Sequence, residues 1–187
     1  MKRDPGDWGE ETAFEVRSHD TDLPLEEYAR LPKFPVHLVL DNLRSAFNVG
    51  SIFRTADTAR IASILTCGYT AHPPHARLEK TALGTLDYVQ STHFDSALDA
   101  VADLKSRGVA VFALETTSHS KSYTAVEFPQ PVALVLGNEA LGIDPEVMAA
   151  CDELIEIPVF GYKNSLNVAS ACAVVLFEIL RRWRGQV

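Results

Sequence analysis

Five short apolar runs, each closed by a polar or glycine-containing turn, constrain this chain more than any other feature. They are "PVHLVLD" (35–41), "ASILTCG" (62–68), "GVAVFALET" (108–116), "PVALVLG" (131–137) and "ELIEIPV" (153–159). Runs this short and this rich in Val, Ile and Leu suit strands covered on both faces, as in a parallel sheet. Helical stretches lie between and after them: Val49 to Ala59, Ser96 to Arg107, Pro145 to Ala150 and Ser165 to Trp183. Strands alternating with helices predict an α/β domain with a mostly parallel sheet and helices on both faces. At 187 residues there is length for one such domain with a real core.

The texture before Pro35 differs. Residues 1–34 carry nine acidic and five basic side chains, with Pro5, Pro24 and Pro32, and show no sustained periodicity beyond a short turn of helix in "PLEEYARL". They read as an acidic extension to a domain spanning 35–187. The charged start, "MKRDPGDWGEE", gives no support to export, and no apolar run is long enough for a membrane span. Three cysteines, Cys67, Cys151 and Cys172, without paired C-x-x-C spacing, fit reduced thiols and a cytoplasmic protein. The formal charge of −8 excludes a globally basic nucleic-acid binder. A polyanion would have to be met by a local cluster, drawn from Arg44, Arg60, Arg77, Lys80, Lys163, Arg181, Arg182 and Arg184.

In an open parallel sheet, ligands sit where loops leave the carboxyl ends of the strands, and three such loops hold the unusual residues. In "DNLRSAFNVGSIFRTADTA" (41–59), Asn48 stands where a helix N-cap would, Gly50 admits a close backbone, and Arg54 follows on nearly the opposite side of the helix. A capped helix with an exposed arginine explains this spacing equally well. "LVLGNEALGID" (134–144) ends a strand in Gly137-Asn138-Glu139, has a second glycine at Gly142, and opens a helix with Asp-Pro. It lacks the Lys-Ser/Thr of a Walker loop, and the chain has no G-x-G-x-x-G. An ordinary strand-to-helix connection remains open here. In "GYKNSLNVASACAVVLFEILRR" (161–182), Ser165 and Asn167 precede a helix that is apolar on two stripes. Val168, Cys172, Val175 and Ile179 form one stripe, and Leu166, Ala169, Ala173, Phe177 and Leu180 the other. One covers the sheet; the second needs a partner, for which a second copy of the chain is the simplest candidate.

"FNVGSIFRTAD", "LVLGNEALGI" and "IPVFGYKNSLNVASACAVVLFE", in this order, resemble the three motifs of the SpoU (TrmH-like) family of the SPOUT superfamily, the S-adenosylmethionine-dependent RNA ribose 2'-O-methyltransferases. The similarity covers about residues 35–182, with a weaker match at "KTALGTLDYV" (80–89). The resemblance implies a C-terminal deep trefoil knot, which composition and pattern could not suggest, and a homodimer through the last helix. It implies catalytic positions at Asn48, Arg54, Glu139, Ser165 and Asn167. A cofactor pocket for S-adenosylmethionine is implied at Leu114, Glu115, Gly137, Asn138, Gly142, Ile157 and Leu166, with "ALETT" (113–117) forming one wall. The implied substrate is RNA, tRNA before rRNA, and no metal or membrane is involved. Ala140-Leu141 and Val159 depart from the family's common residues without touching a catalytic position. Two other readings compete: a non-catalytic RNA-binding or assembly protein of this fold, and a base methyltransferase. A metal site at Cys67, His72 and His75 ranks below both, because "HPPH" is a stiff loop with no fourth ligand nearby.

Overall fold

The computed structural model describes residues 23–184. The chain forms two compact units, Met1–Pro32 and Lys33–Val187. In the first, the described residues hold one short helix, α1 (Leu25–Arg30), within the stretch where the sequence predicts a turn of helix; residues 1–22 of the expected acidic extension lie outside the described residues. Glu26 and Glu27 occupy its first turn and Arg30 its last, which complements the helix dipole.

The second unit runs β1 (Phe34–Asp41), α2 (Ala46–Thr58), β2 (Ile61–Cys67), α3 (Ala76–Ala82), β3 (Ser91–Phe94), α4 (Ala97–Ser106), β4 (Ala110–Leu114), β5 (Lys121–Ser122), β6 (Val132–Leu136), α5 (Pro145–Ala150), β7 (Glu153–Glu156) and α6 (Val168–Arg184). The strands form one seven-stranded sheet in the order β3-β2-β1-β6-β4-β7-β5. Every neighbouring pair is parallel.

Successive strand residues point to opposite faces, and both faces are covered. Leu38 and Leu40 of β1 and Leu134 and Leu136 of β6 pack with Ile52, Phe53 and Ala56 of α2 and with Cys172, Val175, Leu176 and Ile179 of α6. Val39, Ala133 and Val135 face the other way, onto Ala97, Ala100, Val101 and Leu104 of α4 and Val147 of α5. This two-sided burial explains why "VALVL" reads as an unbroken apolar run: all five residues are buried.

Local chemistry sets the helix starts. Ser45, His75, Ser96 and Asp144 each accept a backbone N–H of the first turn of α2, α3, α4 and α5, respectively. Two starts differ from the sequence reading. α2 begins at Ala46 rather than Val49 because Ser45 Oγ accepts from Asn48 N, which leaves Asn48 inside the first turn and not at the cap. α6 begins at Val168 rather than Ser165, since the side chain of Asn167 accepts from Ala169 N and Ser170 N. Ser165 lies before the helix, exposed. The sequence reading also passes over α3, β3 and β5. β3 is a polar edge strand of four residues and β5 has two, too short for a periodic signal.

Gly50 sits where α2 crosses α3. A Cβ there would lie 2.6 Å from Thr81 Cβ and 2.9 Å from Ala82 N, against the backbone of α3. In an open helix, Gly→Ala would stabilise by up to about 1 kcal/mol. At this crossing the clash reverses the sign, and Gly50→Ala is expected to cost about 1–3 kcal/mol. Urea unfolding of the two proteins checks this through a lower midpoint for the variant.

Candidate active site

β1, β6, β4 and β7 are neighbours in the sheet, so the loops leaving their carboxyl ends meet along one edge. Three of these loops are joined through side chains. Glu139, after β6, accepts hydrogen bonds from Arg44 N (2.8 Å), Ser45 N (3.2 Å) and Asn48 Nδ2 (2.8 Å). Asn48 in turn accepts on Oδ1 from Asn167 Nδ2 at 3.0 Å. Asn48 is only 8% exposed, and both ends of its amide are used. Residues separated by 91 and 119 positions in the chain therefore form one continuous chain of hydrogen bonds.

The Glu139 carboxylate occupies the amino-terminal end of α2, where backbone N–H groups and the helix dipole favour an anion. Burial alone would raise its pKa. The bonds from Arg44 N, Asn48 and Ser45 N outweigh that effect and hold the carboxyl below its ordinary value.

Beneath this chain the loop after β6 is braced on three sides. Asn138, 6% exposed, donates from Nδ2 to Asn42 O (2.7 Å) and Tyr69 Oη (2.6 Å), and accepts on Oδ1 from Ala140 N and Leu141 N. Its main chain is bridged to Gly142 in both directions. The Glu115 carboxylate, from the loop after β4, accepts from Ile143 N and Thr116 N, both at 3.0 Å. Asp41 at the end of β1 accepts from Asp144 N at 3.3 Å. Burial raises the Asp41 carboxyl, against the opposing bonds from Asp144 N and Asn42. Gly137 is required by close approach, because a Cβ would come within 2.6 Å of Ile143 Cγ1 and against the Gly142–Ile143 peptide.

The structure thus brings Asn48, Glu139 and Asn167 together, and Glu115, Gly137, Asn138 and Gly142 into one braced pair of loops. The polar ends of Glu115 and Asn138 are taken up by that bracing. Leu114 ends β4, paired with Leu136 and Ile155, and is half-buried. Ile157 follows β7 directly and is half-buried, whereas Leu166, just before Asn167, is 47% exposed. Arg54 and Ser165 stand apart from the hydrogen-bonded chain. Both are exposed, and neither side chain has a hydrogen bond or ion pair among the described residues.

A cleft of about 720 Å³ opens at the start of α2, lined by Arg44, Phe47, Asn48, Arg77, Lys80 and Glu139 among others. Of the cations proposed from sequence, Arg44, Arg77 and Lys80 meet here. Arg60 instead lies over the Phe34 ring, and Arg181 and Arg182 are both paired with Glu178. Lys163 is exposed in the loop after β7, and the side chain of Arg184 lies outside the described residues. Cys67, His72 and His75 do not converge: Cys67 is buried with its thiol pushed up to about 12, His72 stacks on His93, and His75 caps α3. Among the described residues no cluster of His, Cys, Asp or Glu is arranged to hold a metal.

The sequence reading missed Asn42, Tyr69 and Thr70. Thr70 is buried and bridges Leu43 N to Leu40 O. The available signal was the run "TCGYT" closing β2, beside the Asp41-Asn42 pair that closes β1.

The fold and this edge define an α/β protein whose parallel sheet presents three cross-linked loops at the strand ends. The chain belongs to the SpoU rRNA methylase family, whose model matches residues 35–177, and it is an RNA methyltransferase of that family. It is 29% identical over 158 residues to a tRNA (guanosine(18)-2'-O)-methyltransferase of Thermus thermophilus, covering 84% of this chain and 80% of that protein. The A. aeolicus TrmH/SpoU tRNA modifying enzyme superposes with a TM-score of 0.76 at 26% identity, over 86% of this chain and 81% of that one. An S-adenosylmethionine-bound rRNA methyltransferase from Sinorhizobium meliloti superposes with a TM-score of 0.75 at 28% identity, over 83% of this chain and 60% of that one.

Proposed function

We propose that this edge of the sheet transfers the methyl group of S-adenosylmethionine to the 2'-hydroxyl of an RNA ribose, with tRNA the first class of substrate and rRNA the second. The observation that carries the reading is the chain Glu139–Asn48–Asn167, which locks the loops after β1, β6 and β7 into one centre.

The residues fit an adenosyl group. The ends of β6, β4 and β7 lie side by side, so Gly137, Leu114 and Ile157 form a continuous strip, with Leu166 as an apolar wall and the tight Gly137–Gly142 loop as a backbone cradle. Because the side chains of Glu115 and Asn138 are engaged elsewhere, contacts from these loops to the cofactor come from the backbone and from apolar side chains. Bound there, the cofactor supplies an electrophilic methyl carbon. The protein's task is to align the ribose oxygen with that carbon. Asn48 and Asn167 hold the geometry, Ser165 lies at the rim where RNA would enter, and Arg54 supplies positive charge beside the hydroxyl.

Residues 33–187 form the catalytic domain, which takes in Lys33 and Phe34 from the stretch the sequence assigned to the extension, and the residues before them form the extension. The chain after β7 forms the trefoil knot. The strand order supports this: β7 is inserted between β4 and β5, which are consecutive in sequence, and the chain then returns to the α2 face as α6. The end of α6 is tied to the segment that wraps outside β7, with Trp183 Nε1 donating to Phe128 O and Arg182 Nη1 to Val126 O. No helix among the described residues is long and apolar enough to cross a membrane. The three free cysteines favour the cytoplasm.

α6 also mediates a homodimer. Of its first apolar stripe Cys172, Val175 and Ile179 are buried and Val168 half-buried; of the stripe left without a partner, Leu180 is buried in the chain's own core, but Leu166 is 47% and Phe177 46% exposed, and Val174 beside them is 40% exposed. Phe177→Glu is expected to convert a dimer to a single 20.5 kDa chain in light scattering after size exclusion.

The experiment that tests the activity uses tritiated S-adenosylmethionine with tRNA and, separately, rRNA from cells lacking the protein, followed by digestion to nucleosides. Label in a 2'-O-methylnucleoside is the expected result; label on a base, or none, overturns the reading.

A further inference from the structure

A second cleft, of about 300 Å³, adjoins the centre on the β2 side, and Arg44 and Arg77 line both it and the larger one. Tyr69, at its wall, is 60% exposed although it is a large aromatic. Its ring is nonetheless fixed at both ends: the hydroxyl is 2.6 Å from Asn138 Nδ2, and its backbone N–H donates to Asn42 Oδ1 at 3.2 Å. The same cleft is lined by His72, whose ring is held by stacking on His93 with centroids 3.9 Å apart. An exposed Tyr69 ring tethered through its hydroxyl and a half-buried His72 held by stacking, beside two guanidinium groups, match the needs of an unstacked nucleobase and its phosphate, since part of the ordering cost is already met in the free protein.

We infer that this cleft seats a nucleobase flanking the target nucleotide, stacked on Tyr69, while Arg44 and Arg77 hold the intervening phosphate. The inference rests on the RNA methyltransferase reading above and adds the element that selects single-stranded or loop RNA. Arg44 and Arg77 suit the phosphate because a guanidinium binds its oxygens through paired N–H groups. Tyr69 is a substrate-positioning residue, distant in role from the methyl group. Its bond to Asn138 also ties the stacking surface to the loop that holds the cofactor.

The test is steady-state methylation of a pool of tRNA and rRNA from cells lacking the protein, with Tyr69→Leu and Tyr69→Phe compared against the unaltered chain and cofactor affinity measured separately. Tyr69→Leu is expected to raise the KM for RNA roughly 5- to 100-fold, with little change in cofactor affinity and a change in kcat that is small beside the change in KM. Tyr69→Phe, which keeps the ring but loses the bond to Asn138, is expected to fall between the unaltered protein and Tyr69→Leu, with a smaller rise in KM than Tyr69→Leu. Crosslinking of 4-thiouridine-substituted RNA at residue 69 supports the placement. An unchanged KM in Tyr69→Leu overturns it, as does a loss confined to kcat or to cofactor affinity, or a Phe variant as weak as the Leu variant. Failure of the unaltered protein to methylate any RNA in the pool is a different result, and it overturns the proposed activity together with this subsite.

Discussion

Arg54→Ala is expected to reduce methyl transfer by about 10²- to 10³-fold or more in kcat, while S-adenosylmethionine binds as before. Arg54 lies on α2, six residues beyond Asn48, exposed and without a polar partner among the described residues. A buried structural arginine would have its N–H groups satisfied by the protein, whereas this one is available to a substrate. Its guanidinium stays protonated in proteins, so it does not remove the ribose proton; it lowers the cost of negative charge developing on the attacking oxygen. Isothermal titration with the cofactor and single-turnover methylation separate the two effects. Arg54→Lys keeps the charge but loses the planar fork, and is expected to recover part of the rate. Near-normal turnover by Arg54→Ala would remove Arg54 from the mechanism.

The parallel sheet was legible because both faces are covered: all five short apolar runs became strands, and each central strand lost its alternation to two-sided burial. The edge strand "STHF" was not legible, since two of its four residues are exposed and no apolar pattern survives there. The helix caps failed for a related reason. Ser45, Asn48, Ser165 and Asn167 are all good capping residues, and local propensity ranks them alike. The choice was made by distant groups: Asn48 is drawn inward by Glu139 and Asn167, which leaves Ser45 as the cap of α2. Convergence of the three loops came from the family resemblance, because nothing in spacing couples positions more than ninety residues apart. The bracing roles of Glu115 and Asn138 needed coordinates, since a polar residue in a binding loop reads the same whether it contacts a ligand or its own backbone.

Glu139→Ala is expected to affect stability and activity together. It strips an acceptor from Arg44 N, Ser45 N and Asn48 Nδ2 at once and removes the anion at the start of α2. Loss of such a cap costs about 1–2 kcal/mol. The activity loss is expected to be larger, about 10²-fold, because Asn48 loses the contact that orients its amide toward Asn167. The pH dependence distinguishes a charge effect from a packing effect. The Glu139 carboxyl is held below its ordinary value of 4.5, so its contribution is present in full above that value and is lost as pH falls through the lower folded value. The gap in Tm between the unaltered protein and Glu139→Ala should therefore be constant near pH 7 and shrink in the acid range below about 4.5. Glu139→Gln keeps one acceptor oxygen but does not titrate, and its gap relative to Glu139→Ala should not change with pH. If instead the gap between the unaltered protein and Glu139→Ala stays the same down to the acid range, the carboxylate charge contributes nothing at the start of α2, and Glu139 acts only as a neutral hydrogen-bond acceptor for Asn48.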